Sequence, residues 1–173
     1  MENIQVLKKI IEDRKSHYPK DFIPGELKEG VIDEILYSAQ FAPNHKKTKP
    51  WRFQVFEALD KDVLGEEMAE IYKNSAVEGT FLEKKYLDIQ EKIKISAAIV
   101  TISVNFSGLL PEWEEIAATS MAVQNMYLTC TALENIGCYW STPAVKDVLG
   151  DFLNLEENQK CIGLFYIGNI QTN

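Results

Sequence analysis

Cysteine and histidine are scarce in this chain: three cysteines, Cys130, Cys138 and Cys161, and two histidines. No two cysteines make a C-x-x-C pair, so a structural zinc site has no support. An odd, scattered count without a secretory signal reads as reduced thiols in a cytoplasmic protein. Basic residues are outnumbered, 18 Lys and Arg against 26 Asp and Glu, for a net charge of -8. That balance argues against a nucleic-acid partner, which would call for a basic excess or stripe. Uninterrupted apolar runs long enough to span a bilayer are missing too. The longest candidate, Ile116–Ile136, contains Thr119, Ser120, Gln124, Asn125, Thr129, Thr131 and Glu134, so it reads as a buried core helix and no membrane partner is expected. Neither G-x-S-x-G, G-x-G-x-x-G nor G-x-x-x-x-G-K-[ST] occurs, which removes the nucleophile elbow and the usual nucleotide loops. A Cys138–His45 pair has no supporting spacing, and the many carboxylates fall mostly on outer helical faces. Repeats, low-complexity segments and linkers are lacking.

What is present is one domain's worth of chain, residues 1–173, enough to bury roughly two-thirds of its unfolded surface. Ile4, Leu7, Ile10 and Ile11 recur at helical spacing and predict a helix ending near Asp13. Val31, Ile32, Ile35, Leu36 and Ala39 predict a second. Trp51–Ala58 alternates as a strand. A helix with Asp60 as N-cap carries Val63, Leu64, Met68 and Ile71, Asn74–Thr80 is weakly patterned, and Phe81–Ile93 reads as a charged surface helix. Ser96–Val104 is β-branched and apolar throughout, as in a strand covered on both faces. Trp113–Ile136 predicts a long central helix closed by Gly137 at C′. Cys138–Ser141 enters a strand, Thr142-Pro143 starts a helix, and Cys161–Ile167 is a last strand before a turn at Gly168-Asn169. The predicted class is α+β: a small mixed or antiparallel sheet flanked by helices, with the long helix at the centre.

Three clusters carry chemistry. Arg14, Lys15 and Ser16, with Lys20 nearby, follow the first helix; a guanidinium fork and a short hydroxyl suit a phosphate, and basic residues there also suit the helix C-terminus. Ala42–Phe53 packs Pro43, Asn44, His45, Lys46, Lys47, Lys49 and Arg52 between two prolines, a run of donors suited to an anionic ligand or to a solvated loop. Gly137–Pro143 places Tyr139, Trp140 and Ser141 at a helix–strand–helix junction, where the aromatics either wall a planar ligand or belong to the core.

Taken in order, these segments resemble the FMN-dependent nitroreductase family, and in particular its compact, minimal subgroup. Arg14-Lys15-Ser16 is similar to its Arg-Arg-Ser signature, Ala42-Pro43-Asn44-His45 through Pro50-Trp51-Arg52-Phe53 to its Ala-Pro-Ser/Asn…Pro-Trp-x-Phe segment, and the long helix followed by Gly137–Ser141 to the stretch beneath the flavin. The resemblance implies a homodimer with FMN at the subunit interface. Arg14, Lys15 and Ser16 would hold its phosphate and ribityl chain, and Tyr139, Trp140 and Ser141 would line its ring. Pro43, Asn44, His45 and the adjoining Lys49 would reach across from the partner. It further implies reduction by NADH or NADPH and ping-pong transfer to a nitroaromatic, quinone or related acceptor, with no side chain required as an acid and so no catalytic residue assigned. Departures from the pattern are Tyr18 where a basic residue is common, Lys49 where Gln or Glu precedes Pro-Trp, and an end at Asn173 where relatives add a further basic phosphate contact, implying a truncated chain or a weaker phosphate grip. The alternatives are a flavin-binding protein with little turnover and a non-catalytic dimeric module.

Overall fold

A computed structural model describes residues 2–77 and 79–171. Met1 of the first predicted helix, Glu78 of the weakly patterned stretch, and Thr172 and Asn173 at the end lie outside the described residues. In chain order the elements are α1 (Asn3–Asp13), α2 (Val31–Ala39), β1 (Trp51–Glu57), α3 (Ala58–Ser75), α4 (Glu83–Ile95), β2 (Ala98–Asn105), α5 (Glu112–Ala132), β3 (Ile136–Ser141) and β4 (Gln159–Asn169), with short 3-10 turns at Pro19–Asp21, His45–Lys47 and Ala144–Val148.

The four strands form one sheet in the order β1-β2-β4-β3, and every neighbouring pair is antiparallel. Of the two sheet types left open by the pattern, the antiparallel one is found. β2 and β4 are central, and side-chain alternation splits each between two layers. Val100, Ile102, Phe165 and Ile167 face α2 and α5, whereas Ile99, Leu164 and Tyr166 face α3 and α4. Both faces are covered, which is why β2 reads as an unbroken apolar run. Each fully buried Ile, Leu or Phe here contributes roughly 1.5–3 kcal/mol.

α5 buries Ala118, Thr119, Ala122, Val123, Met126, Tyr127 and Cys130 at helical spacing. It stops at Ala132, short of the predicted Ile136. Asn135 takes a left-handed φ of 63°, and Ile136 and Gly137 pair with Asn169 and Gly168. Strand pairing has therefore claimed residues whose apolarity continued the helical pattern, and Gly137 is a strand residue rather than a helix cap. Its lack of a side chain matters for a different reason: a Cβ there would sit 2.6 Å from Ile170 Cγ2 and 2.9 Å from His17 Cβ. Likewise Gly168 and Asn169 extend β4 instead of turning. α3 begins at Ala58 without a side-chain cap, so Asp60 lies inside its first turn. After Thr142-Pro143 the chain makes only the 3-10 turn Ala144–Val148, also uncapped by a side chain.

α1 buries nothing. Its Ile4, Val6, Leu7 and Ile11 are exposed, as are Tyr37 and Phe41 after it and Trp113, Ile116 and Met121 on α5.

Candidate functional site

β3 is an edge strand, and the chain leaving α1 covers that edge. His17 N–H donates to Cys138 O at 2.9 Å. This lays residues 14–18 against β3 and satisfies part of an edge that would otherwise be open. Below the segment stands Tyr127 of α5. Its phenol oxygen accepts the Trp140 N–H at 2.7 Å and lies 3.3 Å from Ser16 Oγ. The Arg14 guanidinium sits 5.6 Å from the centre of the same ring, a cation–π arrangement, and the ring meets Phe165 edge-on at 5.0 Å. Burial pushes the Tyr127 phenol above its ordinary value, outweighing its hydrogen bond with Ser16, so it remains a neutral hydroxyl. Among the described residues neither Arg14 nor Lys15 forms an ion pair. A half-buried guanidinium beside a hydroxyl, with no carboxylate to neutralise it, is a donor set left for an anion.

Alternation along β3 sends its neighbours to opposite sides. Trp140 packs into the layer under α5, where a Cβ on Gly163 would come against its Nε1; that nitrogen is buried and has no hydrogen-bond partner among the described residues. Tyr139 and Ser141 face α4 and line a cleft of about 520 Å³ together with Tyr18, Lys20, Lys92 and Tyr166. The rings of Tyr18 and Tyr139 are 4.7 Å apart, and those of Tyr139 and Tyr166 6.1 Å. Three phenols thus follow one another along one wall, with Lys20 at hand and Lys92 paired with Asp88. Burial drives the Tyr166 phenol well up, so it too stays protonated. Arg14, Ser16 and Trp140 meet around Tyr127 on one side of the β3 edge, and Tyr139 and Ser141 form the cleft wall on the other.

The 42–53 loop is elsewhere. Asn44 pins it from both directions: its Nδ2 donates to Ala42 O at 3.1 Å, and its Oδ1 accepts the Lys49 N–H at 3.0 Å. Between these bonds Lys46, Lys47 and Lys49 all take left-handed φ values, 52°, 56° and 43°, at a cost of about 1–2 kcal/mol per residue for an L-amino acid. Such outliers concentrate where a backbone must present something. His45 Nδ1 lies 2.8 Å from Glu114 Oε2, and Lys46 Nζ donates to Leu109 O, which anchors the loop to the start of α5. Pro43 is exposed. Tyr127 lies several turns further along α5, about 20 Å at ~1.5 Å rise per residue. None of Pro43, Asn44, His45 and Lys49 lines the cleft either, so one chain does not bring them to it.

Tyr127, Tyr166 and Lys92 are the residues that sequence reasoning left out. Tyr127 sat in an apolar helix, Tyr166 in an apolar strand, and Lys92 in a helix whose i, i+4 pairing with Asp88 resembles any solvated face.

Comparison with known proteins gives one answer. The family model described as the nitroreductase family matches residues 11–169. YfhC of Bacillus subtilis (strain 168), provisionally named an NAD(P)H nitroreductase, is 27% identical over 170 residues, 94% of this chain and 84% of its own. The FMN-dependent nitroreductase NfnB of Mycobacterium smegmatis, crystallised with NADPH, superposes with a TM-score of 0.78 at 16% identity, over 98% of this chain and 90% of its own. A provisionally named nitroreductase of Desulfovibrio desulfuricans in complex with FMN superposes at 0.74 with 19% identity, over 99% and 89%. At such identities the superpositions establish the fold.

Proposed function

Because the chain belongs to the nitroreductase family, we propose that it is an FMN-dependent oxidoreductase, reduced by NADH or NADPH, that works as a homodimer on a small-molecule acceptor. The observation that carries this reading is the pairing of an unneutralised Arg14–Ser16 donor set with an aromatic cleft across one strand edge. The donor set has the chemistry for a phosphate dianion. The cleft has a volume within the ~300–1,000 Å³ of small-molecule sites and walls suited to a flat ring.

When bound, FMN supplies the hydride chemistry in two successive half-reactions, first with the nicotinamide and then with a nitroaromatic, quinone or related acceptor. The chain's part is to bind, orient and shield. Arg14, Lys15 and Ser16 hold the phosphate and ribityl end. Tyr127 fixes Ser16 and the Trp140 N–H relative to one another. Tyr139 and Ser141 face the ring, and Lys20, which forms no ion pair among the described residues, offers positive charge where a reduced ring carries negative charge. It takes the place of the basic residue absent at Tyr18.

The dimer is supported by what one chain lacks. Its Pro43–Lys49 loop lies about 20 Å along α5 from Tyr127, and the apolar stripe of α1 and the exposed Tyr37, Phe41, Trp113, Ile116 and Met121 have no cover. Large exposed apolar surfaces mark association sites. A partner that covers them and contributes Asn44, His45 and Lys49 completes the arrangement. The same reading places the protein in the cytoplasm, supported by three unpaired buried thiols. No helix among the described residues is long and apolar enough to cross a membrane.

The test is a visible absorbance spectrum of purified protein before and after FMN addition and desalting, followed by anaerobic NADH or NADPH. A retained flavin band that bleaches is expected. A retained band that no nicotinamide bleaches leaves a flavin carrier with little turnover, and protein that never retains a band overturns the proposal.

A further inference from the structure

The aromatic cleft continues past Ser141. Beyond it a second chamber of about 680 Å³ opens between α3, α4 and the Ala144–Val148 turn. The two chambers share four residues, Asp88, Lys92, Ser141 and Tyr166, and all four are polar. Past this neck the walls turn apolar, with Met68, Ile71, Leu82, Val145 and Val148. One further cation lines the chamber. Lys85 Nζ stands 4.4 Å from the centre of the Tyr72 ring, and among the described residues it forms no ion pair, whereas Lys73 and Lys92 on either side are paired with Glu70 and Asp88.

We propose that this second chamber is the acceptor pocket, and that it takes a flat nitroaromatic or quinone body, whose nitro or quinone group receives the hydride, that also bears an anionic group such as a carboxylate, with Lys85 as the residue that selects it. The inference rests on the flavin reading, since an acceptor there meets its hydride source across the polar neck. The walls favour aromatic carbon by about 25 cal/mol per Å² removed from water. The one lining carboxylate at the neck, Asp88, is engaged by Lys92, so it does not compete for Lys85. In a protein of net charge -8, which repels anions at long range, an uncompensated lysine over an aromatic ring is the feature that reverses this locally. Tyr166 at the neck stays protonated and can donate a hydrogen bond to a polar group placed there.

Calorimetric titration of the full-length protein, its flavin content read from visible absorbance, with 2-naphthoate and 2-naphthol near neutral pH tests this. The two share a ring system and differ in charge. Naphthoate is expected to bind about fivefold more tightly, as for one solvent-facing ion pair. Lys85→Gln should bring naphthoate to the level of naphthol and leave naphthol unchanged. Ala144→Trp, which fills the chamber from its exposed turn, should weaken both by about tenfold or more without changing the melting temperature or flavin content. Naphthoate binding that ignores Lys85→Gln, or binding of both that ignores Ala144→Trp, overturns the proposal. The titration needs no turnover. Colourless protein that shows the Lys85 effect sinks the flavin reading and with it the acceptor role, leaving only an aromatic-anion pocket, whereas flavin-loaded protein without that effect sinks the acceptor pocket alone.

Discussion

Replacing Tyr127 by Phe removes one oxygen and tests whether the placement of Ser16 and of the Trp140 N–H depends on α5. In the native protein that oxygen accepts the Trp140 N–H at 2.7 Å and meets Ser16 Oγ at 3.3 Å. The ring, its edge contact with Phe165 and its packing survive the change. The loss is a partly buried backbone donor left without its acceptor, which costs up to about 1–3 kcal/mol, and the tether on Ser16. For a domain of this size each kcal/mol moves the melting temperature by about 2–4 °C. The expected drop is therefore about 2–12 °C by differential scanning calorimetry, with weaker FMN retention. Tyr127→Leu, which also removes the ring beneath Arg14, should cost more on both counts. A Tyr127→Phe protein that melts within about 1 °C of the native one would refute the reasoning, because it would mean the Trp140 N–H finds another partner without strain.

Three further outcomes follow from the same geometry. Gly137→Ala puts a methyl 2.6 Å from Ile170 Cγ2 and 2.9 Å from His17 Cβ; overpacking of this kind costs about 1–3 kcal/mol, to be read from urea unfolding midpoints. Lys47→Gly relieves a left-handed φ of 56° and should stabilise the free protein by up to about 1 kcal/mol, and an unfolding midpoint that falls instead would show the loop to be held by the lysine side chain. Tyr127 and Tyr166 both have phenols raised by burial above their ordinary 10.0. The folded state therefore keeps protons that the unfolded chain releases, so stability is constant below pH 10 from these groups and is lost as pH rises beyond it. Tyr166→Phe should flatten that alkaline decline in a pH series of thermal melts.

Local patterns predicted most elements because each pattern was itself the packing. The helical spacing of Ile35 and Ala39 and the alternation of Trp51 and Phe53 describe the very faces that are buried. The pattern misled where two partners competed for one stretch. Leu133 and Ile136 extend the apolar period of α5, but the pairing of Gly137 with Gly168 comes from residues some thirty positions away, which no local window contains. Thr142 and Asp60 have cap-forming side chains that the tertiary fold leaves unused. For the site, Arg14, Ser16, Tyr139 and Ser141 were legible as clusters. Tyr127 was not, since its function lies in joining Ser16 to Trp140 across more than a hundred residues. The distance between the loop and the cleft was equally invisible, since it is set by the length of α5.

β4 has a consequence for how the protein comes to be made. It is the latest of the four strands to leave the ribosome, yet it occupies an inner position, hydrogen-bonded to β2 on one side and β3 on the other. Until Gln159–Asn169 emerges, β3 has no strand to pair with and β2 offers an unfilled edge beside a nearly complete set of helices. Such long-range pairing is slow to form, and open edges recruit other chains. The nascent protein thus passes through a stage at which its most aggregation-prone surface is bare, and insertion of a single late strand ends that stage. Stop codons or frameshifts falling between β3 and β4 would leave a product that keeps Arg14–Ser16, the 42–53 loop and Tyr139–Ser141 in its sequence but lacks Tyr166 and the strand that joins β3 to β2.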